Sequence, residues 1–414
     1  MKFSCSRIVF LGFGSLGLSV IWVIYNSFVP VFLQERFSLS PAGIGFFMSI
    51  DNIAAIMILP FIGAWSDRVR TPIGRRMPFI AAGVPAAAIA FYFIPRAAVL
   101  PFFVLSTITL ILSMAVWRTP LTALLADITP SPYRSQANGI SNFMGGIGGV
   151  AAAVGGGALF SVNQAYPFCM ASFLIIAAGL MLFIFIREPA CVDYAVEEKP
   201  ELIKSVKLLF RDPDKNALRV FFAHFFWIIA LSSLEAFFTL YAKNHLGYEG
   251  GDGSRILGQF PLMLILFALP AGFIGAGIGR KTSIISGLII LSASLLSAYF
   301  LDRDFLTAVI TTIPALGTVP VIGGILMISG CAWMLVNVNS LAMIFDMTDP
   351  AHAGTYTGIA FLFITAAAIA GPNINGWIIN MTGNNYSLIY LSSSMFIFIS
   401  ILLMSGVHGG EAQL

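Results

Sequence analysis

Residues 8–33 contain no charged side chain, and further stretches of about that length, nearly free of charge, follow along the whole 414-residue chain. A run of about 20 apolar residues is long enough to cross the hydrocarbon of a bilayer as a helix. No water reaches the backbone there, so each crossing must satisfy its own peptide groups, which a helix does. The runs fall near 8–33, 42–66, 77–95, 99–126, 136–160, 166–186, 217–242, 256–279, 282–301, 319–346, 354–379 and 386–407. Composition agrees: 58% of residues are hydrophobic and 10% are charged, where soluble domains carry about 25% charged residues. The chain reads as an all-α membrane protein with twelve transmembrane helices. Segment 302–318 is apolar enough to imitate a thirteenth span. Asp302, Arg303, Asp304 and Pro314 mark it instead as a loop that partly enters the interface.

The first run is too long for a cleavable signal and lacks a small-residue cleavage site. Cys5, Cys169, Cys191 and Cys331 have no metal or redox spacing and read as packing residues. Twelve spans place both ends on one side. Of the 22 Lys and Arg residues, sixteen fall on the side of the termini, five on the other, and Arg118 lies within a span. The positive-inside rule then puts both termini in the cytoplasm. The densest basic stretch, SDRVRTPIGRRMPFI at 66–80, becomes a cytoplasmic loop.

The longest polar stretch divides the chain into a six-helix bundle at 1–187, a cytoplasmic linker at 188–216 and a second six-helix bundle at 217–414. Within the linker, PELIKSVKLLF has apolar residues at helical spacing, as expected of an amphipathic helix on the membrane surface. The two bundles resemble each other. ALLADITPSPYRSQANG at 123–139 aligns without gaps on AMIFDMTDPAHAGTYTG at 342–358, so that Asp127 meets Asp346. Paired six-span repeats about an axis along the membrane normal are a transporter architecture.

The loop GAWSDRVRTPIGRR reads as G-x-x-x-D-R-x5-G-R-R. It resembles the loop between the second and third spans of major facilitator transporters, in which one residue usually separates D-R from G-R. The five-residue insertion followed by MPFI is similar to the sucrose-transporter branch, which lies close to the glycoside–pentoside–hexuronide:cation symporters. WRTPLTALLADITP (117–130), YRSQANGISNFMG (133–145) and EAFFTLYAKNHLG (235–247) extend the resemblance over essentially the whole chain. It implies a fold of two pseudo-symmetric six-helix bundles and a cytoplasmic gate built from Asp67, Arg75, Arg76, Asp127 and Arg134. The residues give the same gate a physical reason. Asp67 ends a helix, where a negative charge opposes the helix dipole and needs a partner. The second half keeps only the remnant GFIGAGIGRK (272–281), with Ala276 in place of the aspartate, so the latch is expected on one side only.

Asp51, Arg118, His224 and Glu235 fall inside predicted spans. Each charge costs about 2.5–3.5 kcal/mol at the bilayer centre on insertion scales, so such residues are expected to face a polar cavity or each other. Asp51 and Glu235 are the candidate proton carriers, with Arg118 as a cation that favours proton release or bonds a substrate hydroxyl. Trp22, Tyr25 and Asn26 share one face of the first span, and Asn138 and Asn142 share one of the fifth. His224 and Trp227 lie on the face of Glu235. The repeat offset maps Arg118 onto Asn337, with Trp333 one turn before it, while Asn339 points away. Amides bond sugar hydroxyls and an indole covers the apolar face of the ring, so Trp22, Tyr25, Asn26, Arg118, Asn142, His224, Trp227, Trp333 and Asn337 form the candidate sugar lining.

Two departures from the resembled family stand out. Plant sucrose transporters have an arginine immediately before ALLADL, where this chain has Thr122. Melibiose-type relatives carry two sodium-binding aspartates in the second span, where this chain has Ala55 and Leu59. Protons are therefore favoured over sodium as the coupling ion, and no other cofactor is expected.

GFGSLG at 12–17 lacks the strand that a dinucleotide fingerprint needs. The glycines of GGIGGVAAAVGGG suit close helix packing. The reading is a monomeric, lipid-embedded sugar–proton symporter of a prokaryotic inner membrane, not an enzyme and not a nucleic-acid binder. A uniporter, an exporter and a non-transporting sugar sensor are the alternatives.

Overall fold

The computed structural model describes residues 5–129, 133–188, 215–313, 317–347 and 353–408. The first helices are α1 (Cys5–Glu35), α2 (Pro41–Arg68), α3 (Met77–Phe93), α4 (Leu100–Ile128), α5 (Arg134–Val162) and α6 (Tyr166–Phe185). After the linker come α7 (Asn216–Tyr241), a π turn (Ala242–Leu246), α8 (Gly250–Leu257), α9 (Gln259–Ile278) and α10 (Arg280–Phe300). A short α11 (Arg303–Thr307) leads into strands β1 (Val309–Ile313) and β2 (Gly317–Pro320). The chain continues as α12 (Val321–Asp346), α13 (Ala353–Met381) and α14 (Leu388–Ser405). Among the described residues, twelve helical stretches are long and apolar enough to cross a membrane, α8 and α9 together making one of them. The surface helix expected within 200–210 lies outside the described residues.

Proline sets several helix starts. It opens α2 and occupies one of the first two positions of α3, α4 and α6. Its missing N–H is harmless in the first turn, and its fixed φ suits the helix.

The contacts divide the chain into two units. The first holds residues 1–38, 53–195 and 249–258; the second holds 39–52, 196–248 and 259–414. Helix α2 is thus shared, its first dozen residues belonging with the second unit. In the first unit α1 packs on α5 and α6, α3 packs on α4 and α6, and α8 packs on α5. In the second unit α7 packs on α13 and α14, while α12 packs on α9 and α10 and α10 also meets α14.

Small and hydroxylic residues hold these helices together, as expected where lipid offers no hydrophobic drive between them. A Cβ at Gly148 of α5 would lie 2.6 Å from the Leu16 carbonyl oxygen of α1, so the glycine-rich stretch does serve close packing. Ser172 Oγ donates to the Ala88 carbonyl at 2.9 Å. In the second unit Ser393 and Ser400 of α14 donate to the α7 carbonyls of Ala230 and Ala223, at 3.2 and 3.0 Å. Asn375 of α13 donates to Ser233 of α7 at 2.8 Å. The first part of α2 crosses α13 backbone to backbone: a Cβ at Gly45 would collide with the Pro372 carbonyl oxygen, and one at Gly376 would lie 2.6 Å from that of Pro41. Asn373 Nδ2 adds a 3.0 Å bond to Ser49 Oγ at the same crossing.

Two local expectations change. The eighth span begins at Gly250 rather than near 256. GGDGSRIL looks like loop by composition, but its glycines let α8 lie against α5, where a Cβ at Gly251 would collide with the Gly157 carbonyl oxygen. Ser254 Oγ also donates to the Ala153 carbonyl at 3.2 Å. Segment 302–318, expected as a loop that partly enters the interface, contains α11 and β1 and the start of β2, which pair as an antiparallel ribbon.

The α2–α13 crossing gives a direct test. Gly45→Val should cost about 1–3 kcal/mol by overpacking and lower the thermal midpoint in detergent. Gly155→Ala, where nothing lies within 4 Å, should leave that midpoint unchanged or raise it. Equal behaviour of the two variants would contradict the backbone contact.

Candidate functional site

The arginine loop folds into a cluster contained within the first unit. Gly74 has φ of +108°, a conformation that favours glycine, and this turn sets Arg75 and Arg76 side by side at the start of α3. Arg76 is 4% exposed. Its guanidinium donates to the Ser66 hydroxyl and the Asp67 carboxylate at the end of α2, and to Asp127 Oδ2 at the end of α4, the last at 3.1 Å. Arg75 reaches the same Asp127 at 2.8 Å. One carboxylate is therefore shared by two guanidinium groups, which joins three helix ends. Buried charges of this kind persist only when fully paired.

A fifth charged participant, Glu188, is not singled out by any motif in the sequence. It follows α6 and its side chain is 2% exposed. Its carboxylate accepts the backbone N–H groups of Arg76 at 2.7 Å and Met77 at 3.2 Å. It thus places negative charge on the N-terminus of α3, where free N–H groups and the helix dipole favour an anion. It also lies 3.8 Å from Arg75. The signal in the sequence is an acid just beyond the sixth span, on the side of the arginine loop. Of the predicted gate residues, Asp67, Arg75, Arg76 and Asp127 come together. Arg134 opens α5, and its side chain lies outside the described residues.

At the corresponding end of the second unit, basic side chains meet backbone carbonyls. Arg280 donates to the Ala342 carbonyl at 2.9 Å, and Lys281 to the carbonyls of Ser405 and Val407 at 2.9 and 2.7 Å. Arg219 donates to the Gly406 carbonyl. Lys281 and Arg219 thus reach the carbonyls at the end of α14, the negative pole of that helix.

The mid-span residues divide between the units. In the first, Arg118 and Thr122 are exposed on one face of α4, and Thr122 Oγ1 donates to the Arg118 carbonyl at 3.0 Å. The arginine thus shares a face with the position that the sucrose branch uses, displaced by one turn, about 6 Å. Trp22 and Asn26 are half-buried, Tyr25 is buried with its ring 5.7 Å edge-on from Trp22, and Asn138 and Asn142 are exposed. In the second unit Glu235 is exposed between buried neighbours Leu234 and Ala236. Asp51 of α2 is half-buried, accepts a 2.9 Å bond from Asn52 Nδ2, and lies within electrostatic range of Glu235. His224 and Trp227 are both buried, with ring centroids 4.7 Å apart. They pack together rather than sharing the open surface of Glu235. Trp333 is likewise buried while Asn337, one turn on, is exposed. Asn339 points inward and bonds Ser283 at 3.1 Å and the Ala271 carbonyl at 3.3 Å. Among the described residues no group of three or more His, Cys, Asp and Glu side chains could hold a metal ion.

A family model described as Major Facilitator Superfamily matches residues 11–372. The chain belongs to the Major Facilitator Superfamily. A hexuronate transporter of Bacillus subtilis (strain 168) is 22% identical over 404 residues, covering 92% of this chain and 90% of its own length. Multidrug resistance protein 2 of the same organism is 24% identical over 255 residues, covering 60% of each chain. Among solved structures, a point mutant of the nucleoside transporter NupG superposes with a TM-score of 0.74 at 18% identity, covering 97% of this chain and 98% of its own. A bacterial homolog of the human lysosomal transporter Spinster gives 0.69 at 15% identity, covering 96% of this chain and 94% of its own. The major facilitator fold expected from the arginine motif is thereby established, and with it a multi-pass transporter of small molecules rather than an enzyme.

The cluster ranks its own acids. Asp127→Ala leaves two guanidinium groups short of a partner and should cost on the order of 3 kcal/mol. Asp67 has a side chain 43% exposed, so Asp67→Ala should cost roughly 1 kcal/mol. Thermal unfolding in detergent reads the order, and a reversed order would remove Asp127 from the centre of the cluster.

Proposed function

We propose that this transporter is a proton-coupled symporter of a sugar or glycoside that works by alternating access, with both termini in the cytoplasm. The observation that carries the reading is Glu235, an exposed carboxylate in the middle of a span with Asp51 in electrostatic range on another helix. A lone carboxylate against lipid would be expelled or neutralised. Two carboxylates on different helices form a place where one proton is taken up and given back. Ala55 and Leu59 stand where melibiose-type relatives hold sodium, which favours the proton over sodium.

The sugar class draws support from the hexuronate transporter that the chain resembles along nearly its full length. Exposed Arg118, Asn142 and Asn337 supply donors for hydroxyl or carboxylate oxygens, while Trp22, Tyr25 and Asn26 offer an aromatic and amide face. His224, Trp227 and Trp333 act behind this surface as packing. Arg75, Arg76, Asp67 and Asp127 serve as the cytoplasmic gate. Each charge moved inward gains about 2.3 kcal/mol per 100 mV, roughly a fifty-fold gradient, so one proton suffices to concentrate a neutral sugar. The protein works as a monomer in a prokaryotic inner membrane. Export is the second reading, favoured by the similarity to a multidrug resistance protein.

Proteoliposomes under an imposed proton gradient, screened with neutral sugars, glycosides and hexuronates, separate these readings. Symport predicts substrate-dependent alkalinisation of the medium by the wild type, lost in Glu235→Gln and Asp51→Asn while substrate exchange persists. Transport that keeps its pH dependence in both variants overturns the coupling assignment. Drug efflux without sugar uptake establishes the exporter.

A further inference from the structure

The segment between α11 and α12 is unusual for a loop that joins two spans. Residues 305–320 contain no charged side chain. Within this stretch β1 and β2 pair as a ribbon, Val309 with Pro320 and Ile313 with Gly317. Residues 309–312 are all exposed, Val309 at 59% and Ile310 at 61%. A lone two-stranded ribbon in water is marginally stable at best, and its free edge invites pairing with other chains. Neither property suits an aqueous loop rich in valine and isoleucine.

The ribbon is nevertheless firmly placed on the second unit. Val321 N–H donates to the Ala308 carbonyl at 2.9 Å, and Gln259 Nε2 to the Thr318 carbonyl at 3.2 Å. Val319 of β2 and Leu306 of α11 are buried. The register shifts between Val309 and Thr311, so Ile310 is the extra residue of a bulge. A bulge re-aims its side chain, and Ile310 turns back onto α12: a Cβ at Gly324 would lie 3.1 Å from Ile310 Cδ1. Gly324 is three residues inside the span that begins at Val321, about 4.5 Å along the helix axis. One turn further, Ile328 is 54% exposed, and Phe300, at the end of the preceding span, is 73% exposed. Ile310 therefore continues the apolar outer surface of α10 and α12.

We propose that the β1–β2 ribbon lies in the bilayer interface, with Ile310 among the upper acyl chains of the adjoining leaflet. The lipid shields the ribbon's apolar faces, and the bulge keeps it folded down against α12. Asp302, Arg303 and Asp304, just before it, mark the level of the aqueous phase. The proposal does not depend on the solute transported or on the coupling ion.

The test uses the full chain with its cysteines changed to serine, reconstituted in phosphatidylcholine vesicles and carrying one nitroxide label. Ile310→Cys is compared with Ile328→Cys on the span and with Asp304→Cys in the polar segment. Collision with oxygen, which concentrates in lipid, is measured against collision with a water-soluble nickel chelate. The expected result is oxygen access several-fold above nickel access at Ile310→Cys, as at Ile328→Cys, and the reverse at Asp304→Cys. Nickel access at Ile310→Cys equal to that at Asp304→Cys overturns the proposal. Low access to both reagents also overturns it, because the ribbon would then be covered by protein, such as a second copy. If the Ile310→Cys chain fails to insert, Val309→Cys on the same strand, 59% exposed in the native chain, supplies the same reading.

Discussion

A backbone in hydrocarbon has no water to fall back on, and this one fact organises the molecule. Helices satisfy their own peptide groups, so what remains is to bring them together without a hydrophobic drive. The chain does this with absent side chains and short polar ones. Gly148 lets α5 touch the backbone of α1. Ser393 and Ser400 turn their hydroxyls onto the carbonyls of α7. Asn339 and Asn375 commit their amides inside the second unit. Polar residues inside the membrane are thus of two kinds, those consumed by packing and those left open.

Charge follows the same division. At the motif end of the first unit, Arg75 and Arg76 are neutralised by acids from three places in the chain, and Glu188 doubles as a helix cap. At the matching end of the second unit, Arg280 and Lys281 settle on carbonyl dipoles.

The spans are legible because a run of about twenty apolar residues has few other uses. Even the exception is instructive: GGDGSRIL hides the start of the eighth span, since glycine and serine signal both loops and tight helix contacts. The ribbon at 309–320 is hidden because Val, Ile and Thr suit a strand and a membrane edge alike, and its pairing depends on a bulge. Asp67, Arg75, Arg76 and Asp127 can be grouped from the motif and the topology, whereas Glu188 needs the fold, because nothing in its neighbours fixes where the chain turns after α6. Helical spacing puts His224, Trp227 and Glu235 on one face, yet of these it is Glu235 that is open. A face can be covered at one height and bare at another, and periodicity carries no record of what packs against it.

The crossing of α2 over α13 at Gly45 and Gly376 has a further consequence. Most helix contacts freeze rotamers on both sides, and ordering each long side chain costs as much as about 2 kcal/mol. Two glycines facing carbonyls have no rotamers to freeze. At the glycines themselves the junction is governed by fit. For the helices to part there, only the neighbouring Asn373–Ser49 bond would have to let go, much as two smooth rails held by a single pin can separate where meshed teeth cannot.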